Sequence, residues 1–383
     1  MQIYLDHNAS TPVEARAAEA MLHCISGLPG NPSSTHRYGR AMRAFVERAR
    51  QQVADLVSVQ SSQVYFTSGG TEANNLALHT VTRRRAGGGR IAISAIEHPS
   101  VLEPAAALQS RGWHIDRLAV DTMGRVSGRT LAAQLRHDTA LVSIMSANNE
   151  TGVVQDIAGL AQQVRAAGAV FHTDAVQAAG KIPLNFEASG AHLLSLSAHK
   201  IYGPMGVGAL IVDKSLELVP MLAGGGQEKG IRAGTENVPG IVGFGVAAEL
   251  AANGLAQSNA RQHVLRKRLE TGLARYPEVT VFAQEAERLP NTVQLAVTGM
   301  DGETLLMQLD RAGIAVSSGS ACSSGARDPS HVLLAMGVDP QLARGAIRVS
   351  LGRDSAEQDV DSLLAALDGQ IQWLHKSGQV AGW

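Results

Sequence analysis

Two short apolar runs, each ending in a charged side chain, constrain this chain more than any other feature. Ala169-Val170-Phe171 leads into His172-Thr173-Asp174, and Leu193-Leu194-Ser195-Leu196 leads into Ser197-Ala198-His199-Lys200. Short β-prone runs separated by a connection of this length predict neighbouring strands of an α/β sheet. In open parallel sheets, ligands sit just beyond the carboxyl ends of the strands. The pattern therefore sets Asp174 and Lys200 side by side at a ligand crevice.

A carboxylate and a lysine at such a place have two readings. One is an ion pair closing two strand ends. The other is a site for pyridoxal 5'-phosphate (PLP), in which the lysine amine forms a Schiff base and the aspartate keeps the pyridine nitrogen protonated.

Three further stretches bear on the choice. Val64-Tyr65-Phe66-Thr67 enters a small-residue turn, Ser68-Gly69-Gly70-Thr71, from which a helix leaves. Exposed backbone N–H groups and the positive end of the helix dipole make such a turn an anion cradle, and Thr71 adds a hydroxyl. An ordinary N-cap by Ser68 or Thr71 is the plainer alternative. The turn is neither a Walker A loop nor a dinucleotide fingerprint. His98, in Glu97-His98-Pro99-Ser100, closes another strand, and the following proline keeps its backbone out of the helical region. Cys322 lies in Ser317-Ser318-Gly319-Ser320-Ala321-Cys322-Ser323-Ser324-Gly325. Its small polar neighbours predict an accessible thiol. Cys24, among Met21, Leu22 and Ile25, reads instead as a small core residue.

Composition narrows the classes. The chain has 383 residues, 45% hydrophobic, with net charge −1, enough for two domains and a large core. Near-neutral charge and 4% aromatics argue against electrostatic or stacking recognition of nucleic acid. Two cysteines make no disulfide framework, which predicts a reducing, cytoplasmic setting. The amino terminus lacks a signal-peptide pattern, and no membrane span is expected.

The motifs resemble those of NifS/IscS-type cysteine desulfurases, which are PLP-dependent fold type I enzymes of aminotransferase class V. The resemblance rests on Phe171-His172-Thr173-Asp174-Ala175-Val176-Gln177, Ser197-Ala198-His199-Lys200, Glu97-His98-Pro99-Ser100, Asn148-Asn149-Glu150-Thr151-Gly152 and the Cys322 segment, in family order. It implies that Lys200 carries PLP, Asp174 meets the ring nitrogen and Gln177 the phenolic oxygen. Gly70, Thr71, Ser197 and His199 would hold the phosphate, while His98 stacks on the ring and moves protons. Asn149 would bind cofactor or substrate, and Arg348 would clamp the substrate carboxylate. Cys322 would take sulfur from L-cysteine as a persulfide. Thr235, in a glycine-rich loop at 224–237, would reach the PLP phosphate of a partner subunit, which implies a homodimer.

The fold expected is α/β: a large domain with a mainly parallel mixed sheet (residues 14–250) and a smaller α+β domain (residues 1–13 and 251–383). Helices are expected from Pro12 to about Cys24, at 38–56, 157–167, 247–276 and 302–312, with small-domain strands near 279–282, 291–297 and 315–317. Arg344 and Arg353 read as surface residues. The rivals are selenocysteine lyase, another class V enzyme that would not need Cys322, and a scaffold or carrier without cofactor. The resemblance also implies a sulfur-acceptor protein, with iron–sulfur cluster assembly among its uses. The carboxyl end is shorter than the tail with which IscS-type members engage a scaffold protein.

Overall fold

The computed structural model describes residues 2–27, 29–85, 87–318 and 328–380. Its largest sheet has seven strands in the order Val64–Thr67, Gly208–Val212, Leu193–Ser197, Val170–Asp174, Thr139–Ser143, Gly89–Ser94 and Trp113–Leu118. The last five run parallel, and Gly208–Val212 is antiparallel to both of its neighbours. This is the mixed, mainly parallel sheet that the apolar runs predict. The Leu193–Ser197 and Gly208–Val212 strands are buried at every position, as expected when helices cover both faces. Asp174 pairs in register with Ser195, so the two anticipated strand ends are indeed adjacent.

A second sheet is four-stranded and antiparallel, ordered Ser317–Ser318, Ala346–Ser350, Thr292–Val297 and Val279–Val281. The single strand expected at 315–317 is split. Ile314–Ala315 pairs in parallel with Ile3–Tyr4, whereas Ser317–Ser318 joins the four-stranded sheet. Each piece of two residues serves a different partner, and alternation alone does not reveal such a change.

The helix Val238–Leu273 links the two cores. Ile241, Phe244, Ala247 and Ala248 pack into the core of the large sheet, and Leu265, Leu269 and Leu273 into that of the small one. Residue 250 falls inside this continuous helix. Each buried leucine or phenylalanine contributes about 1.5–3 kcal/mol by leaving water, so both ends are firmly seated. By length and hydropathy this helix is apolar enough to cross a membrane, but half of its most apolar window is buried in protein. Core packing explains that apolarity.

Smaller expectations shift. The first helix is Ala15–Ser26, three residues later than Pro12 predicts, and Cys24 is buried in the core. The glycine-rich 224–237 segment is anchored, not a plain linker. Buried Glu228 pairs with Arg50 at 2.7 Å and accepts the Phe66 N–H. Arg353 is not a free surface residue: it pairs with Glu14 and lies 4.3 Å from the Tyr202 ring centroid.

Candidate active site

A cavity of about 270 Å³ opens at the carboxyl ends of the parallel strands. Gly70, Thr71, His98, Asn149, Asp174, Gln177, Ser197, His199, Lys200 and Arg348 all line it. Residues from six separate stretches thus converge on one hole. Thr235 is exposed and outside this cavity, and Cys322 lies outside the described residues.

The helix Gly70–Arg84 starts at the cavity with Gly69 as N-cap and no side chain capping it among the described residues. Ser68 and Thr71 are therefore not the caps that the plainer reading requires. The amides of its first turn have no intrahelical partner and are directed to whatever anion the cavity admits. A Cβ on Gly70 would stand 2.8 Å from Val176 Cγ2, so only a glycine lets the turn sit this close to the 174–177 segment.

Lys200 follows the Leu193–Ser197 strand in a single helical turn, Ala198–Lys200. Its Nζ donates to the carbonyl oxygens of Asn8 at 2.5 Å and Ala9 at 2.7 Å. Gln177 Nε2 donates to the same Asn8 carbonyl, and Lys181 Nζ donates to Gln177 Oε1 at 2.7 Å. Lys181 is buried, which holds its ammonium well below the usual lysine range, and the Lys200 and Arg348 charges act in the same direction. Asp174 is buried and accepts the Val176 N–H at 2.9 Å and an Asn74 N–H at 2.7 Å. His199 is pushed down to about 4, first by burial and then by Lys200 and Lys181, so it meets the cavity as a neutral ring.

His98 caps the helix Pro99–Gln109, its Nδ1 accepting the Ser100 N–H at 3.1 Å. That leaves the proton of the neutral ring on Nε2. Burial lowers the His98 pKa, with Asp174 opposing the shift and Lys200 and His331 adding to it.

Arg348 is buried on the Ala346–Ser350 strand. Its Nη2 pairs with Asp6 Oδ1 at 2.8 Å, and its Nη1 donates to the Asn149 carbonyl at 3.1 Å. Nε has no hydrogen-bond partner among the described residues. Asp6 thus steadies the guanidinium at the cavity wall. A lysine there would offer a point charge in place of a planar fork. Arg348→Lys is expected to raise KM for an amino-acid substrate about 10–100-fold, the loss of one charge-assisted bond. Steady-state kinetics would show it, and an unchanged KM would remove Arg348 from substrate binding.

Sequence reading passed over Asp6, Asn8, Asn74, Ser100 and Lys181. Asn74 carried a usable signal: it lies one turn after Thr71, on the helical face that follows the cradle. Asn8 carried none, because its role comes from long-range bonds to Asn149, Thr292 and Ser350.

Glu97, beside His98, is fully buried, which raises its pKa well above the usual carboxylate range. The Met145 N–H on Oε1 opposes the shift and the Asp174 charge adds to it. A raised folded pKa means that its stabilising contribution is complete below the unfolded value of 4.5 and is lost as pH climbs toward the folded value. Glu97→Gln removes that loss. As pH rises above about 5, the Tm of the variant should gain on the parent by about 1 °C for each kcal/mol involved in a chain of 383 residues. A difference that stays flat with pH in thermal melts would refute this account.

The geometry defines a class, a fold type I enzyme with a lysine and an aspartate across one cavity. The aminotransferase class-V family model matches residues 3–363. A cysteine desulfurase of Gluconacetobacter diazotrophicus is 45% identical, covering 98% of this chain and 94% of its own length. Another, of Nostoc sp., is 42% identical, covering 100% of this chain and 96% of its own. Among solved structures, a NifS-like protein superposes with a TM-score of 0.92 at 37% identity, covering 97% of this chain and 100% of its own. One described as SspA in complex with cysteine has a TM-score of 0.82 at 32% identity, covering 93% and 100%. The chain belongs to the PLP-dependent aminotransferase class-V family, within its cysteine desulfurase branch.

Proposed function

We propose that this chain is a PLP-dependent cysteine desulfurase that moves the sulfur of L-cysteine onto Cys322 and releases L-alanine. The observation that carries it is the meeting of Lys200, Asp174, Arg348 and the uncapped helix start at Gly70 on one cavity. These residues fit PLP: an anion cradle, a buried carboxylate that accepts fixed N–H groups, and an amine lining the same cavity. PLP, when bound, supplies an aldehyde that condenses with amines and a ring that draws electrons from the substrate.

Gly70, Thr71, Ser197 and His199 hold the phosphate, Asp174 the ring nitrogen and Gln177 the phenolic oxygen. Lys181, bonded to Gln177 Oε1, turns the Gln177 NH2 toward its acceptor. Arg348 and Asn149 orient the amino-acid carboxylate, and His98 moves a proton at Nε2. Cys322 takes the substrate Sγ. Thiol and cysteine enter, persulfide and alanine leave, and the electrons balance without an external oxidant.

The same reading includes a large domain over 14–250 and a small one over 1–13 and 251–383. It also includes a homodimer in which Thr235 serves the partner's cavity, a cytoplasmic setting, and a sulfur-acceptor protein such as an iron–sulfur scaffold or thiolation enzyme. The test supplies L-cysteine and measures alanine and persulfide. Alanine formed in step with transferred sulfur is the expected result. Preference for L-selenocysteine over L-cysteine would instead favour a selenocysteine lyase. Protein that purifies without PLP would overturn the reading.

A further inference from the structure

We propose that Asn74 is a positioning residue that joins Asp174 and His98 into one hydrogen-bonded unit. The inference rests on the PLP reading above and goes beyond it, since Asn74 is not among the groups that reading uses. Asn74 is 1% exposed, in the second turn of the Gly70–Arg84 helix. Its Nδ2 donates to Asp174 Oδ2 at 2.7 Å and to Ser100 Oγ at 2.8 Å. Ser100 Oγ in turn lies 2.7 Å from His98 Nδ1, which also accepts the Ser100 N–H.

The donors run one way. An amide NH2 cannot accept, so the Ser100 hydroxyl receives from Asn74 and gives its own proton to His98 Nδ1. His98 Nδ1 thereby has two donors and no need of a proton, which keeps the ring proton on Nε2 at the cavity. On the other side, Asp174 accepts one N–H on each oxygen, from Asn74 and from Val176, and remains an acceptor for a ring N–H.

The orientation of the amide is set by charge. Flipped, Asn74 would turn its Oδ1 toward the Asp174 carboxylate, two acceptors face to face. As placed, Oδ1 is buried with no hydrogen-bond partner among the described residues. The fold leaves a carbonyl unsatisfied in order to keep both N–H groups on Asp174 and Ser100, which indicates that the donors are what the position requires.

The full-length holoenzyme tests this through PLP retention on dialysis and through kcat and KM for L-cysteine. Asn74→Ala should lose PLP about tenfold faster and lower kcat about 10–100-fold, with KM within about twofold. Ser100→Ala cuts only the His98 arm, so it should lower kcat about tenfold while PLP retention stays at the parent level. On an Asp174→Asn background, Asn74→Ala should cause no further loss of PLP, because the carboxylate whose placement it serves is already gone. Parent-level retention and kcat in Asn74→Ala would overturn the proposal. So would an undiminished further loss on the Asp174→Asn background, which would mean that Asn74 acts through the fold at large. Parent protein that retains no PLP would overturn the cofactor reading and this inference together, so the two failures are distinct.

Discussion

Lys200→Ala is expected to purify without covalently attached PLP and to form alanine from L-cysteine on the order of 10³-fold more slowly, or worse. On the proposed function the amine at 200 is the group that attaches covalently, and a methyl group has no nucleophile. The substitution also removes the donor that serves the Asn8 and Ala9 carbonyls. The Asn8 carbonyl keeps its Gln177 Nε2 donor, but the half-buried Ala9 carbonyl loses Lys200, which costs about 1 kcal/mol, so the variant should melt slightly below the parent. Borohydride reduction followed by peptide mass spectrometry is the decisive measurement. In the parent, the peptide containing Lys200 should carry the reduced cofactor, and finding the label on another lysine, Lys181 included, would sink the assignment.

Cys322→Ser is expected to have the opposite signature: PLP bound at the parent level, with alanine formation down about 10²–10³-fold. Desulfuration needs a polarisable nucleophile that ionises near neutral pH, and a serine hydroxyl does not. The retained cofactor separates this loss from a folding defect. Mass spectrometry of the parent after L-cysteine should find one extra sulfur on the Cys322 peptide and none on Cys24, whose thiol is buried and raised in pKa by that burial. Full activity in Cys322→Ser would favour a class V enzyme that acts on substrate without taking its sulfur.

The two predictions divide the proposed chemistry between the residues that hold the cofactor and the thiol that takes the sulfur. Asp174 ends a strand in ladder with Ser195, and Gln177 and Lys200 follow strand ends in short turns flanked by buried Ala178 and by Ala198 and Ile201. Among the described residues, the small sheet contributes only Arg348 to the cavity, and Asp6 from the first segment steadies it there. The N-terminal residues therefore matter beyond their length. Asp6 pairs with Arg348, Asn8 bonds residues of both cores, and the Asn8 and Ala9 carbonyls receive Lys200.

What the sequence determined by itself was local. Apolar runs ending in polar residues marked strand ends, glycines before a helix marked an anion cradle, and spacing set Asp174 beside Lys200. Strands covered on both faces must be apolar along their length, and a turn pressed against neighbouring backbone needs glycine, so these patterns are legible without coordinates. Only the tertiary structure decided how residues far apart in the chain share hydrogen bonds. Asn74 between Asp174 and Ser100, Asp6 on Arg348, Lys181 on Gln177 and the split of 314–318 between two sheets depend on which segments become neighbours in space. A hydrogen bond is satisfied by whatever donor folding brings within about 3 Å, and periodicity along the chain carries no record of that partner.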